Sequence, residues 1–487
     1  MIPEKSEQLA CSSNMKATTK LFLSLSLFAL VIPISSCGKK ESGPKSEKVK
    51  ICMNVYKEHE TAYFPVSFDL DDYINISDTP NKEILKMSLL FDANIVDTAH
   101  PHFEKSDYPI ESNTDRENFY KHLGISDFSF VKVESTTGFD EDDTSAMTMG
   151  HTLVEKEDKT YDICFVAVLD SGGSVAWCSN FDVGLDDESY YEKTGEHPEW
   201  TNHDNHKGFD VAANRCLSIL ESYADEKLSD DAEHIFYVFG HSRGGAVGNL
   251  LGSKLIDNNK TAVGYLCAGP AVTTSSQYSN EKYKHIFSFI NSEDLITSLL
   301  PSKWGFNRYG TVTTFKMSEY RNNFETMNGI EFPSGSTVTI LKGFTKLVND
   351  RSEMYTISDK YTVATSEELD EQEAEGFINK YTSCFSGEYA DLRSFVKAEK
   401  TEAEGNKYIV KITNCPSLVT SVMSYIIKNN SLNMSSMASA IAPFGAYLNS
   451  TLEVIGLSTT SLLTITVDYV VCMHFYYSYI TYANINF

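Results

Sequence analysis

The sequence predicts an α/β fold, a mostly parallel sheet flanked by helices, and two observations carry that expectation. Short, nearly continuous apolar runs rich in β-branched and aromatic residues recur between residues 161 and 291, and segments of helical period separate them. At one junction between such a run and such a helix stands a Gly-x-Ser-x-Gly pentapeptide. The chain has 487 residues, 41% of them hydrophobic and 22% charged, so it can bury a large core and is not mainly disordered. Its 41 basic and 67 acidic residues give a formal charge of −26, which phosphate backbones repel, so nucleic-acid binding is excluded as a function class.

The N-terminus reads as a leader. Lys16 and Lys20 precede the apolar run 21–34, which is too short to span a bilayer of about 30 Å and has the length of a signal-peptide core. Ile34, Ser35 and Ser36 then lead into Cys37 and Gly38, a small-residue approach that resembles the bacterial lipoprotein box, in which the Cys is lipidated. Residues 1–36 are therefore expected to be a lipoprotein signal peptide and 37–48 a polar, flexible tether. The protein is expected to be lipid-anchored through Cys37 to a bacterial cell envelope, outside the cytoplasm. Ten cysteines are present and none form Cys-x-x-Cys, so no zinc or redox motif is supported.

Along the rest of the chain, residues 49–150 look mixed, with helical spacing over 82–96 and a short helix at 119–123. The run 161–169 (YDICFVAVL) predicts a buried strand, 206–228 a helix, 234–239 (HIFYVF) a second strand, 243–257 a helix, and 261–268 and 284–291 further strands. From about 317 to 455 the pattern becomes mainly helical, with a strand at 408–413, and this stretch is expected to be an insertion, either extra core helices or a cap or lid over the site. Residues 49–316 together with 456–487 make up the expected main domain.

The chemistry begins at Gly240-His241-Ser242-Arg243-Gly244-Gly245, placed directly after the strand 234–239 and before a helix. A strand turning sharply into a helix strains the Ser backbone, and only glycines two residues before and two after fit across the turn. The turn exposes the Ser242 oxygen at a helix N-terminus, where the Arg243 amide faces a developing oxyanion. This is the nucleophile elbow of an α/β-hydrolase; the plain alternative is a helix start capped by a Ser. Such a Ser needs a base and an orienting acid, in the chain order Ser, Asp or Glu, His. His285 and His474 follow Ser242, but His285 precedes the acid candidates, so His474 is the expected base. Asp294, with Glu293 as second choice, follows the strand 284–291 at the end where catalytic groups converge, and is the expected acid. His197, His203, Asp204 and His206 cluster upstream, but with no second ligand set they are read as a polar loop, and no metal is expected.

The stretches YVFGHSRGGAVGNLLGSKL (237–255), YLCAGPAVTTSS (265–276) and FINSEDLITSLLPSKWGFNRYG (289–310) resemble the class 3, fungal-type lipases and their bacterial relatives. WCSNFDVG (177–184), HKGFDVAA (206–213) and the aromatic segment after His474 look similar too. The resemblance implies a serine hydrolase of carboxylic esters, with acylglycerols or phospholipids as substrates and no cofactor. It puts Asp294 in the acid position and Ser171 in that of the family's first oxyanion donor, beside the Arg243 amide. In the family that donor segment is Arg-Gly-Thr or similar, whereas this chain has Leu169-Asp170-Ser171; a carboxylate beside an oxyanion opposes catalysis. Phospholipase, thioesterase or acyltransferase chemistry would use the same residues, and a catalytically dead surface-binding domain is the alternative outside enzymes. The sequence sets no oligomeric state.

Overall fold

A computed structural model of the chain describes residues 45–53, 59–96, 99–104, 113–137, 140–171, 179–180, 202–294, 296–298, 306–333, 355–359, 362–365, 368–382, 397–403, 405–413 and 472–485. All of them fall in one unit, Gly43–Phe487; the other, Met1–Ser42, which holds the expected signal peptide and Cys37, lies outside them.

Strand β1 (Lys45–Met53) pairs antiparallel with β2 (His59–Glu60), β3 (Phe64–Phe68) and β4 (Ala99–Phe103), forming a small sheet. The first residues of β1, Lys45 to Lys48, pair with Phe68 to Pro65, so a strand begins inside the segment expected to be a flexible tether. Ser46 and Lys48 are exposed while Val49, Ile51 and Met53 are buried, a pattern too short for the sequence to signal. The helix Lys82–Ile95 crosses between this sheet and the main one. Asn81 caps it by accepting from the amides of Glu83 (2.8 Å) and Ile84 (3.4 Å).

The main sheet has seven strands, β5 (Ser126–Thr137), β6 (Asp140–Lys156), β7 (Lys159–Val168), β8 (Glu233–His241), β9 (Thr261–Cys267), β10 (Ile286–Asn291) and β11 (Thr311–Phe315), lying side by side in chain order. From β7 to β11 every pairing is parallel; β5, β6 and β7 are antiparallel. This is the mostly parallel, helix-flanked sheet of the α/β-hydrolase class. The apolar runs are continuous because both faces of the sheet are covered. Ile163, Phe165, Ala167, Ile235, Tyr237 and Phe239 point into a core shared with the helices Lys82–Ile95 and Tyr476–Ile485. Cys164, Val166, Val168, Phe236 and Val238 point into the opposite core, under the helices Lys207–Lys227 and Arg243–Asp257.

Past β11 the main core continues. Met317, Phe324 and Phe332 are buried in the same cluster as Tyr476, Tyr479 and Ile480, so the boundary expected at 317 falls inside the packed body. The described part of 317–455 is also richer in strand than expected: β12 (Tyr355–Asp359), β13 (Thr362–Thr365), β14 (Lys397–Glu402) and β15 (Tyr408–Thr413) make an antiparallel sheet in the order β12-β13-β15-β14. One helix, Glu371–Thr382, accompanies them. β14 reads KAEKTE and lies in the stretch expected to be mainly helical; pairing along β15 makes it a strand. The helices expected over 417–455 lie outside the described residues.

Candidate active site

The site sits where β8 stops. Ser242 takes φ 54° and ψ −124°, a strained conformation for a residue with a side chain. The flanking glycines are there for steric reasons: a Cβ on Gly240 would lie 2.3 Å from the Gly244 carbonyl oxygen, and one on Gly244 would lie 2.0 Å from that of Val168. Ser242 makes no side-chain capping bond to the helix Arg243–Asp257, which removes the alternative of a mere N-cap. Its amide donates to the Cys267 carbonyl at the end of β9 (3.0 Å), pinning the turn to the sheet.

The three residues expected from chain order meet in one line. His474 Nε2 lies 2.8 Å from Ser242 Oγ, and His474 Nδ1 lies 2.8 Å from Asp294 Oδ2. A carboxylate only accepts, so Nδ1 carries the proton and Nε2 is free to take one from the hydroxyl. Asp294 also accepts from the Ile296 amide at Oδ1 (2.9 Å) and from the Tyr479 hydroxyl at Oδ2 (3.1 Å). All three are buried, at 7%, 6% and 1% exposure for Ser242, His474 and Asp294, so their interactions are little weakened by solvent. Asn291, the last residue of β10, donates to the Met473 carbonyl (3.1 Å) and so ties the acid loop to the segment bearing His474.

The second-choice acid, Glu293, faces elsewhere: its Oε2 accepts from the Ser318 amide (2.7 Å) and anchors the loop. His285 stands before β10, at the far end of the sheet, 2.9 Å from Asp78. His206, from the histidine-rich loop, caps the helix Lys207–Lys227 through Nδ1 and stacks on Phe209; His197 lies outside the described residues.

Arg243 and Ser171 are the expected oxyanion donors. Arg243 holds the first helical position after Ser242, where the backbone amide is not used by the helix ladder. The β7 end, Val168 and Leu169, packs against Gly244, which brings the segment 169–171 alongside the elbow. Asn180 donates from Nδ2 to Ser171 Oγ (2.7 Å) and accepts at Oδ1 from the Arg243 guanidinium (2.9 Å). Because Ser171 Oγ accepts from Asn180, its own hydrogen is left to donate elsewhere. Asp170, the departure in this segment, lies within electrostatic range of Asp92 and Tyr476, and its charge raises the pKa of both.

Four residues escaped the sequence reading. Asn180 and Tyr479 are described above. Arg308 donates to the carbonyls of Gly269 and Thr297 (2.9 Å each), clamping the acid loop to the loop after β9. Burial pushes its guanidinium pKa down to about 10, against the raising effect of Tyr479 and Asp294. Asp92 sits behind the elbow in the helix Lys82–Ile95; an acid in the apolar stretch SLLFDANI was its only signal.

Three comparisons bear on this arrangement. No curated protein matches the chain. Among solved structures, it is similar to the triacylglyceride lipase of Rhizomucor miehei, with 14% identity over 50% of this chain and 83% of that one and a TM-score of 0.32. The mono- and diacylglycerol lipase of Aspergillus oryzae shows 16% identity over 47% and 77%, TM-score 0.29. A lipase from Rhizopus microsporus var. chinensis shows 13% over 48% and 72%, TM-score 0.27. The model of the lipase (class 3) family matches residues 171–304, a span that holds Ser171, Ser242, Arg243 and Asp294. On that match the chain is a carboxylic-ester hydrolase of the serine type.

Proposed function

We propose that the protein is a lipase that works through an acyl-enzyme, with Ser242 as nucleophile, His474 as general base and acid, and Asp294 as the residue that orients the imidazole. The observation that carries this reading is the Ser242–His474–Asp294 line, two contacts of 2.8 Å at a strained elbow. Ser242 Oγ attacks the ester carbonyl carbon while its proton passes to His474 Nε2. The tetrahedral oxyanion is stabilised by the Arg243 amide and by Ser171. The ester C–O bond breaks as His474 returns the proton to the leaving alcohol. Water, deprotonated by the same Nε2, then cleaves the acyl-Ser242 bond and releases the acid.

The substrate is an acylglycerol or a similar neutral lipid ester. The charge of −26 favours a neutral aggregate over an anionic one. The route to a lipid surface is the acyl anchor on Cys37, a reading that rests on residues 21–38 of the sequence. The test is hydrolysis of short-chain and long-chain acylglycerols by the mature protein beside Ser242→Ala and His474→Ala. Each variant is expected to lose on the order of 10⁴-fold or more in kcat while staying folded. Wild-type kcat in either folded variant would overturn the assignment.

A further inference from the structure

The elbow and the segment that carries His474 are joined by a buried strut that the Ser–His–Asp line does not use. Asp92 enters from the helix Lys82–Ile95 with 1% exposure. Its Oδ1 accepts from the amide of His241, the residue before Ser242 (3.0 Å). Its Oδ2 accepts from the hydroxyl of Tyr476, two residues after His474. Between them the His241 imidazole donates from Nε2 to the His474 carbonyl (2.6 Å). His241 packs beside Tyr476 and Tyr479, with ring centroids 5.0 and 5.7 Å away. One carboxyl thus holds both the residue before the nucleophile and the helix that begins after the base.

We infer that Asp92, through Tyr476 and His241, is a positioning residue that fixes the distance between Ser242 and His474. The inference rests on the proposed roles of Ser242 and His474. The two come from segments 232 positions apart, and a shift of about 1 Å between reacting groups costs on the order of 10²-fold in rate. Other hydrogen bonds from the His474 segment run to the acid side, from Asn291 to Met473 and between Tyr479 and both Asn291 and Asp294. The strut supplies the constraint on the nucleophile side. Burial, reinforced by the like charge of Asp170, pushes the Asp92 carboxyl well above the usual range. Burial and the neighbouring His474 hold the His241 imidazole well below its own.

The experiment measures kcat and KM on a soluble short-chain ester, per active site titrated with a fluorophosphonate, for the wild type, Tyr476→Phe, Asp92→Leu and Asp92→Asn. Tyr476→Phe removes one hydroxyl and keeps the ring packed, and is expected to lower kcat about 10-fold with KM within about 2-fold. Asp92→Leu cuts both contacts while keeping the branching at Cγ and is expected to lower kcat about 100-fold. Asp92→Asn keeps the acceptor for the His241 amide and a polar partner for Tyr476, and is expected to recover at least about a third of wild-type kcat. Unchanged kcat per titrated site in folded Tyr476→Phe overturns the inference, whatever happens to its thermal stability. So does an Asp92→Asn as slow as Asp92→Leu. A wild type that neither titrates nor turns over would sink the hydrolase reading instead, which keeps the two failures apart.

Discussion

At the scale of single residues, the site is a set of groups whose hydrogen-bonding capacity is directed at one point. Tyr479 shows how the acid is managed. Its hydroxyl accepts from the Asn291 amide and donates to the same oxygen of Asp294 that faces His474. Tyr479→Phe should therefore lower kcat by about 3- to 10-fold with little change in KM, a loss of about 1 kcal/mol, the typical net contribution of one hydrogen bond. Asn180 does the corresponding work on the oxyanion side. Asn180→Ala should slow turnover by about 10-fold and Ser171→Ala by on the order of 10²-fold, measured on the same soluble ester. If Ser171→Ala turned over at the wild-type rate, the second donor would have to be another group. The triad candidates were legible because chain order and motif spacing are properties of sequence. Asn180, Tyr479, Asp92 and Arg308 were not, since each acts through a partner far away in the chain, Arg308 through Gly269, for example, and Asp92 through Tyr476.

At the scale of elements, what the sequence predicted best were strands buried on both faces. β7 and β8 have no solvent side, so their runs are unbroken and their type is plain. β5 and β6 were hidden for the opposite reason: Asp140–Lys156 is rich in Asp, Glu and Thr, and its pairing with β5 carries two register irregularities. That hairpin and β7 hold a second buried ion-pair site away from the elbow. His151 on β6 lies 2.7 Å from Asp162 of β7 through Nδ1 and 3.2 Å from Asp127 of β5 through Nε2. The hydrogen bond to Asp162, aided by the charges of both aspartates, raises the His151 pKa above 6.5. A raised base stabilises the fold when protonated, so its contribution is full below pH 6.5 and is lost as pH rises through the folded value. Thermal denaturation across pH 5.5–8.5 should show a fall in stability above about pH 6.5 that His151→Gln flattens. An unaltered profile in that variant would place the titration elsewhere.

At the scale of the whole molecule, three packed layers put the elbow, the acid loop and the terminal helix at one end of the parallel strands. The core residues alternate between the two faces, and the helix Lys82–Ile95 closes the site from behind. That closure could not be read from the sequence, because nothing local to residues 82–95 names β8 or the terminal helix as neighbours. The global charge adds an electrostatic expectation: at −26 the protein should hydrolyse esters in neutral emulsions readily and in anionic vesicles poorly at low salt. Raising salt from about 10 mM to about 0.5 M should narrow that gap by screening, as an assay on both surfaces would show. Equal rates on both at low salt would mean that the face meeting lipid does not share the overall charge.

The proposed chemistry requires that Ser242 be chemically activated. The most direct measurement is labelling of the folded protein with a fluorophosphonate, with the modified residue located by mass spectrometry and Ser242→Ala run alongside. A covalent phosphonyl group on Ser242, absent in the variant and formed more slowly in His474→Ala, is the predicted result. A folded wild type that stays unlabelled in both buffer and detergent, or that is labelled at another serine, would contradict it.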